Sequence, residues 1–445
     1  MLHRLKTYVP ANWLNVYHVM LAHLAAFTYG YPSRKLIVIG VTGTNGKTTT
    51  AYLLARALEA CGERVGCTST AVLKIADREW INDTKMTMPG RFFLQRMLRR
   101  MVQAGCRYAV IETSSQGLVQ HRHAGIAYDV AVFTNLTPEH IEAHGGFEAY
   151  QRAKRLLFEH VATRPQKIVH GKIVPRLAVV NADSPYGEYY GGVSGFDQVT
   201  RYSIQAPSDV QAQEAHWSDR GAQFRVKGQS VELQLPGVYN IENTLAALAT
   251  VQSLGCDVGK AIKGVEAVTL VPGRFERVDV GQTWTVIVDY APDPESLRRL
   301  YEVVTVMPHA RLIHVLGSCG GGRDLARRPI LGRMAGRVAD VVIVTNEDPY
   351  DDDPRVIMDQ VAAGAREVGK RDGENLFEIE DRREAIFMAM NYAQPGDVVL
   401  MTGKGAEAWM CLAEGKKLSW NEVETAKQAI QAALKKHDES PVMKK

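Results

Sequence analysis

The chain has 445 residues, 46% of them hydrophobic and 23% charged, with a formal net charge of +4. That is enough apolar content to bury large cores in two or three domains, and the 53 basic residues are interspersed with 49 acidic ones, too balanced for a nucleic-acid binder. The six cysteines include no C-x-x-C pair and the start carries no secretory signal, which points to free thiols in a reducing cytoplasm.

In chain order, the first feature is the apolar stretch Trp13–Tyr31, preceded by Arg4 and Lys6 and followed by Arg34 and Lys35. Asn15, His18 and His23 interrupt it, and its length is at the lower edge of a bilayer span. The favoured reading of residues 1–34 is an apolar helical segment packed against the protein. A helix lying weakly on a membrane surface and a span are the alternatives left open.

Next, Leu36-Ile37-Val38-Ile39-Gly40-Val41 reads as a buried strand and runs into Thr42-Gly43-Thr44-Asn45-Gly46-Lys47-Thr48-Thr49-Thr50. Glycines let successive backbone N–H groups turn toward phosphate oxygens; Lys47 supplies a point charge, and the Thr48 hydroxyl can reach Mg²⁺. Val41 stands where the strict G-x-x-x-x-G-K-[ST] pattern has glycine. The following helix, from Thr48 to about Cys61, adds its positive N-terminal end.

Further strands are Tyr108–Glu112, Val130–Phe133 and Leu177–Asn181, alternating with amphipathic stretches as in a parallel sheet covered on both faces. Glu112 ends its strand at the carboxyl edge, where nucleotide sites form, and reads as a Mg²⁺ ligand. Phe133–Gly145 packs His140, His144, Glu139 and Glu142 into one loop, and Phe147–Phe158 reads as a helix whose Arg152, Lys154 and Arg155 form a solvated basic face. Ser203–Leu235, with runs at Ala222–Val226 and Val231–Leu235, suits a small antiparallel patch or a sheet extension, and Ile241–Ser253 an Ala-rich helix.

After Val271-Pro272-Gly273-Arg274 a second α/β unit begins: strand Val286–Asp289, helix Glu295–Val304, strand Leu312–Leu316, helix Arg328–Val338, and strands Val341–Thr345 and Val398–Met401. The expected division is therefore 1–34, a central domain at 35–271, a second domain at 272–436, and a disordered tail from 437 to 445. The fold class is α/β, a P-loop parallel-sheet domain followed by a Rossmann-like domain.

These motifs together resemble the Mur ligase family. The resemblance rests on Gly40–Thr50, Glu112–Arg122, Phe133-Thr134-Asn135-Leu136 with His140 and His144, Tyr239-Asn240 with Asn243, Val271–Arg277, Asp289-Tyr290-Ala291, Gly322-Arg323-Asp324 and Gly403-Lys404-Gly405-Ala406-Glu407. It is nearest to the branch that adds the third amino acid to UDP-N-acetylmuramoyl-dipeptide in peptidoglycan synthesis, and this family uses the shorter Gly-Thr-Asn-Gly-Lys-Thr loop. The resemblance implies a cytoplasmic, monomeric, ADP-forming amide ligase that uses ATP and Mg²⁺ and proceeds through an acyl phosphate.

It further implies that Lys47, Glu112, His140 and Lys154 are catalytic, with Thr48, Glu112, His140 and a carbamylated Lys154 around the metal. ATP would meet Gly43, Thr44, Asn45, Gly46, Lys47, Thr48, Thr49, Asn243, Arg274 and Asp289. The muramoyl peptide would meet Thr87, Ser114, Gln120 and Arg122, and the incoming amino acid Arg323, Asp348 and Glu407.

The chain departs from the family pattern in three places. Only residues 1–34 precede the phosphate loop, where this branch carries a whole UDP-binding domain. The diaminopimelate signature Asp-Asn-Pro-Arg aligns with Glu347-Asp348-Pro349-Tyr350, so a fixed positive charge is lost and a negative one gained, which suits lysine or another amine. Two family histidines are replaced by Pro292 and Ala406. A folylpolyglutamate-type ligase is the related alternative, though its loop typically ends Gly-Lys-Gly-Ser, and a non-catalytic nucleotide-binding partner is the alternative of another class.

Overall fold

The computed structural model describes residues 11–139 and 141–439. The expectation for His140 and most of the expected tail therefore lie outside the described residues. The chain divides into two compact units, one built from residues up to Pro138 with Gly146–Trp217 and Gly221–Thr269, the other from Leu270 onward with Glu139–Gly145 and Ser218–Arg220.

The first unit opens with helix α1 (Ala11–Thr28) and centres on strand β1 (Ile37–Thr42), buried along its whole length. A strand buried on both faces must be apolar throughout, and Ile37-Val38-Ile39 meets that condition. Around β1 lie β2 (Val65–Thr68), β3 (Val72–Ile75), β4 (Arg78–Ile81), β5 (Tyr108–Glu112) and β6 (Val130–Phe133). The hairpin β7 (Lys167–Val169) and β8 (Lys172–Val174) stands apart. Then come β9 (Leu177–Asn181), β10 (Gln198–Ser203), β11 (Val210–Trp217), β12 (Ala222–Val226) and β13 (Gln229–Leu233).

Eleven of these strands form one sheet in the order β13-β12-β11-β10-β9-β6-β1-β5-β2-β3-β4. Its middle is parallel, with Val41 beside Glu112 and Thr42 beside Phe133, and the flanks β2-β3-β4 and β11-β12-β13 are antiparallel. The Ser203–Leu235 region is thus an extension of the main sheet, with its last strand ending at Leu233. Because β1 is flanked by β5 on one side and β6 on the other, the carboxyl ends of three strands open at a topological switch point, the place where such sheets bind ligands.

Helices α2 (Lys47–Ala60), α3 (Arg91–Gln103), α4 (Ser115–Val119), α5 (Ile141–His144), α6 (Phe147–Ala162), α7 (Gly187–Gly191), α8 (Val238–Ser253) and α9 (Val258–Glu266) follow in chain order. Tyr128, Phe133, Leu157, Phe158 and Tyr190 lie in the main core, between the sheet and α6 and α7.

The second unit carries a six-stranded sheet in the order β14 (Glu276–Arg277), β15 (Thr285–Val288), β19 (Val398–Met401), β16 (Leu312–Leu316), β17 (Val341–Thr345), β18 (Leu376–Ile379). All pairs are parallel except β14–β15. Helices α10 (Pro294–Val304), α11 (Arg327–Val338), α12 (Pro354–Glu367), α13 (Arg382–Tyr392) and α14 (Glu422–Glu439) surround it. Asp293 starts α10 with a capping box, its carboxylate accepting from the N–H groups of Glu295 and Ser296, while Asp381 caps α13 in the simpler way.

Candidate active site

At the end of β1 the chain approaches neighbouring segments closely. A Cβ on Gly43 would stand 1.9 Å from the Thr134 hydroxyl, and one on Gly46 would stand 2.2 Å from Asn243 Oδ1. Gly46 also has φ of +82°, so both positions require glycine. The loop is pinned from below: Asn45 N–H donates to Asn135 Oδ1 at 2.9 Å, Thr134 Oγ1 donates to the Asn45 carbonyl at 2.7 Å, and Thr44 N–H donates to the Asn135 carbonyl at 2.8 Å. Asn243 is held by Thr50, whose hydroxyl donates to it at 3.3 Å, and itself donates to Asn240 Oδ1 at 3.2 Å. The Lys47 ammonium donates to the Thr44 carbonyl at 2.6 Å, within the loop it helps to fold, and Thr49 follows, buried, in the first turn of α2.

Glu112, 2% exposed at the end of β5, collects several donors. Thr48 Oγ1 reaches it at 3.0 Å, Thr70 N–H at 2.6 Å and Thr70 Oγ1 at 3.0 Å. The Thr70 hydroxyl is also 2.9 Å from that of Thr87. Thr48, Glu112 and Thr87 are thereby gathered into one oxygen-rich chain through Thr70, a residue the sequence did not single out. A buried carboxylate and a hydroxyl at the mouth of a phosphate loop form the hard-oxygen donor set that suits Mg²⁺.

Lys154 corrects its local reading as part of a solvated helical face. Its side chain is 1% exposed, its Nζ donates to the Gly43 carbonyl at 2.7 Å and lies 4.2 Å from the Tyr150 ring centroid. Helix α6 carries apolar Ala153 and Leu157 on the same inward face, and the lysine is drawn in with them beneath the loop. Arg152, one turn face away, pairs with Glu148 in solvent.

Ser114 caps α4, accepting from Gly117 N–H at 3.2 Å. Just beyond, the Gln120 side-chain oxygen accepts from Arg122 at 2.7 and 3.1 Å, Arg122 donates to the Met88 carbonyl, and Arg91 donates to the Gln120 carbonyl. Burial and the neighbouring Arg91 hold the Arg122 guanidinium below its ordinary pKa, so two cations share a small polar pocket rim. Such a pair welcomes an anionic ligand. Arg91 was not among the residues picked out by sequence.

In the second unit, Arg274 lies 4.6 Å over the Tyr290 ring and donates to the Gly273 carbonyl at 3.0 Å. Asp289 accepts from Phe275 N–H at 2.7 Å and Ala291 N–H at 2.8 Å; burial pushes its carboxyl up despite the nearby Arg274. Asp348 does not stand open to a ligand. Lys404 donates to both its oxygens, at 3.1 and 3.2 Å, and Cys411 N–H donates at 2.7 Å. Both side chains are buried, so the negative charge expected to select an amine is balanced inside the unit.

Lys404 also donates to Glu407 at 3.0 Å. Cys319, Glu347 and Asp348 offer three metal donors within 4.8 Å of one another. The Cys319 thiol donates to Glu347 at 2.8 Å and Lys404 engages Asp348, an arrangement already satisfied by protons rather than requiring a cation. Arg323 sits in the loop after β16; burial works against its charge, but Cys319, Tyr290 and Glu139 outweigh it and keep the guanidinium firmly protonated.

Residues 41–251 match the Mur ligase middle domain, and residues 273–405 match the Mur ligase glutamate ligase domain. The UDP-N-acetylmuramyl-tripeptide synthetase of Roseiflexus sp. (strain RS-1) is 41% identical over 430 residues, 95% of this chain and 84% of the relative. The UDP-N-acetylmuramoyl-L-alanyl-D-glutamate--2,6-diaminopimelate ligase of Geobacillus thermodenitrificans (strain NG80-2) is 38% identical over 398 residues, 88% of this chain and 79% of the relative. A solved structure of a ligase with that same printed name is 30% identical with a TM-score of 0.57, covering 89% of this chain and 78% of its own.

Proposed function

This chain belongs to the Mur ligase family, and from that premise we propose that it joins an amino acid to UDP-N-acetylmuramoyl-dipeptide in peptidoglycan synthesis, in the cytoplasm, with release of ADP and phosphate. The observation that carries the reading is the buried Thr48–Glu112 pair at the mouth of a glycine loop whose underside is held by Lys154.

The chemistry has two stages. The dipeptide carboxylate attacks the γ-phosphorus of ATP, breaking the bond to ADP and forming an acyl phosphate; the amine then attacks that carbonyl carbon and phosphate leaves. The glycine loop Gly43–Gly46 and the N-terminal end of α2 would seat the phosphates, with Asn243 below the loop, and Lys47 would offset the charge that gathers on the transferring group. Thr48 and Glu112 would hold Mg²⁺, which supplies charge neutralisation on the β- and γ-phosphate oxygens when bound. His140 and a carbamylated Lys154 would serve a second ion.

Arg122, Gln120, Ser114 and Thr87 are assigned to the anionic muramoyl peptide, and Arg323, whose planar fork matches a carboxylate, to the incoming amino acid. For the amine, lysine or another amino acid is favoured over diaminopimelate, because Tyr350 stands where the family signature has an arginine that would pair with the distal carboxylate of that substrate. The test is phosphate release by purified protein with ATP, Mg²⁺ and UDP-N-acetylmuramoyl-dipeptide across a panel of amino acids. Release is expected only with an accepted amine, and silence across the panel rejects the assigned acceptor. Lys47→Ala is expected to abolish release, and unchanged turnover would reject the phosphate role.

A further inference from the structure

Helix α1 has its amphipathicity turned outward. Taken at 100° per residue, Trp13, Val16, Tyr17, Met20, Leu24 and Phe27 fall within an arc of about 100° on one side of the helix. All six are exposed, from 52% for Leu24 to 71% for Trp13. The opposite side carries Ala22, Ala25 and Ala26, which are buried; a Cβ on Gly125 would lie 3.0 Å from the Ala26 methyl, so that face is seated closely on the protein. A helix in water normally does the reverse, burying its large side chains and showing its small ones.

The surroundings are basic. No Asp or Glu occurs among residues 1–58 or 84–111. Arg34 and Lys35 are exposed just past the helix, and α3, which packs beside α1, exposes Phe92, Arg96 and Arg100. Arg34 lies 4.4 Å over the Tyr31 ring and Arg96 5.3 Å over that of Phe93, each cation resting on an aromatic face.

We propose that α1 with the exposed arginines of α3 is a docking surface for an anionic lipid bilayer, on which the helix lies flat with its apolar stripe among the headgroups. Among the described residues no helix is long and apolar enough to cross a membrane. A stripe of Trp, Tyr, Phe, Leu and Met flanked by arginines is instead the composition of an interfacial helix. Charge decides against the other occupants. A second copy docked through the same patch would bring like-charged arginines together, whereas an anionic leaflet neutralises them. The inference goes beyond the ligase chemistry and uses none of its residues.

The test is flotation of the full chain with phosphatidylglycerol vesicles and with phosphatidylcholine vesicles. Binding is expected to the first, weakening as salt is raised, and little to the second. The combined M20S/L24S/F27S variant, altered only at exposed positions, is expected to keep its unfolding midpoint and lose about tenfold in bound fraction. R96Q/R100Q should lose binding to the anionic vesicles in the same direction. No flotation with phosphatidylglycerol, equal binding by the triple variant, or indifference to lipid charge would each overturn the proposal. So would a concentration-dependent dimer, seen by sedimentation, that the triple variant abolishes.

Discussion

Thr48 and Glu112 lie 64 residues apart in sequence, and the Thr48 hydroxyl donates to the Glu112 carboxylate at 3.0 Å. The pairing follows from register: Val41, on the strand that feeds the loop, sits beside Glu112 on β5, so the start of α2 meets the end of the neighbouring strand. Glu112→Gln keeps the shape and an acceptor for Thr48 but removes the charge that would hold Mg²⁺. Phosphate release is expected to fall by about 10²- to 10³-fold, with partial recovery at high Mg²⁺. A variant with ordinary turnover and ordinary Mg²⁺ dependence would refute the metal role.

Lys154 has a different kind of leverage, because its Nζ satisfies the Gly43 carbonyl from inside the protein. Lys154→Ala leaves that carbonyl without a donor and opens a space under the loop, at a cost of about 1–3 kcal/mol, read as a lower urea midpoint. Turnover is expected to be lost and to stay lost in high bicarbonate, whereas the intact unaltered protein should show, by ¹³C NMR in ¹³C-bicarbonate, a carbamate carbon signal that the variant lacks. Its absence under bicarbonate would reject carbamylation while leaving the structural role standing.

The parts of this site that could be read from sequence are those whose physics is local. Gly43 and Gly46 announce a turn with close backbone approach, and Glu112 announces itself as a charge at the end of an apolar run. Thr70 carries no such signal: it lies between β2 and β3, strands of four residues each at the sheet's antiparallel flank, too short to set up a period. Lys154 looked solvated because Arg152 and Arg155 flank it, and only the rotation of α6 against the core turns it inward. The Lys404–Asp348 pair joins residues 56 apart and is invisible to any local pattern. Helices α12, α13 and α14 passed unnoticed for a related reason, since their charged outer faces masked the apolar positions that pack them.

Asp348 and Tyr350 bear on which amine is accepted. With Asp348 neutralised by Lys404, the proposed preference for an amine other than diaminopimelate would rest on the missing guanidinium at position 350 rather than on an added negative charge. Tyr350 is partly buried and has φ of +52°, a strained value for a tyrosine. Tyr350→Arg is expected to raise turnover with diaminopimelate relative to the amine preferred by the unaltered protein, by about tenfold. Asp348→Asn should destabilise the second unit, because Lys404 then loses its buried counter-charge, without shifting the preference. If Asp348→Asn changed the preference and Tyr350→Arg did not, the assignment would be reversed.

His314, fully buried in β16, should tie the stability of the second unit to pH. Its ring is held between Tyr301, at 2.7 Å from Nδ1, and Thr402, at 3.0 Å from Nε2. Burial, aided by the nearby Arg382, lowers its pKa to about 3. The unfolded chain, with a histidine pKa near 6.5, takes up a proton that the folded chain refuses. The stabilising contribution is therefore fully present above about pH 6.5 and is lost as pH falls toward 3. The slope is about 1.4 kcal/mol per pH unit, so roughly 2 kcal/mol should be gone at about pH 5. His314→Gln, which keeps a donor and an acceptor but cannot titrate, is expected to be less stable at neutral pH yet to lose less on acidification. Urea midpoints of both proteins across that window give the comparison, and parallel pH curves would show that His314 is not the titrating group.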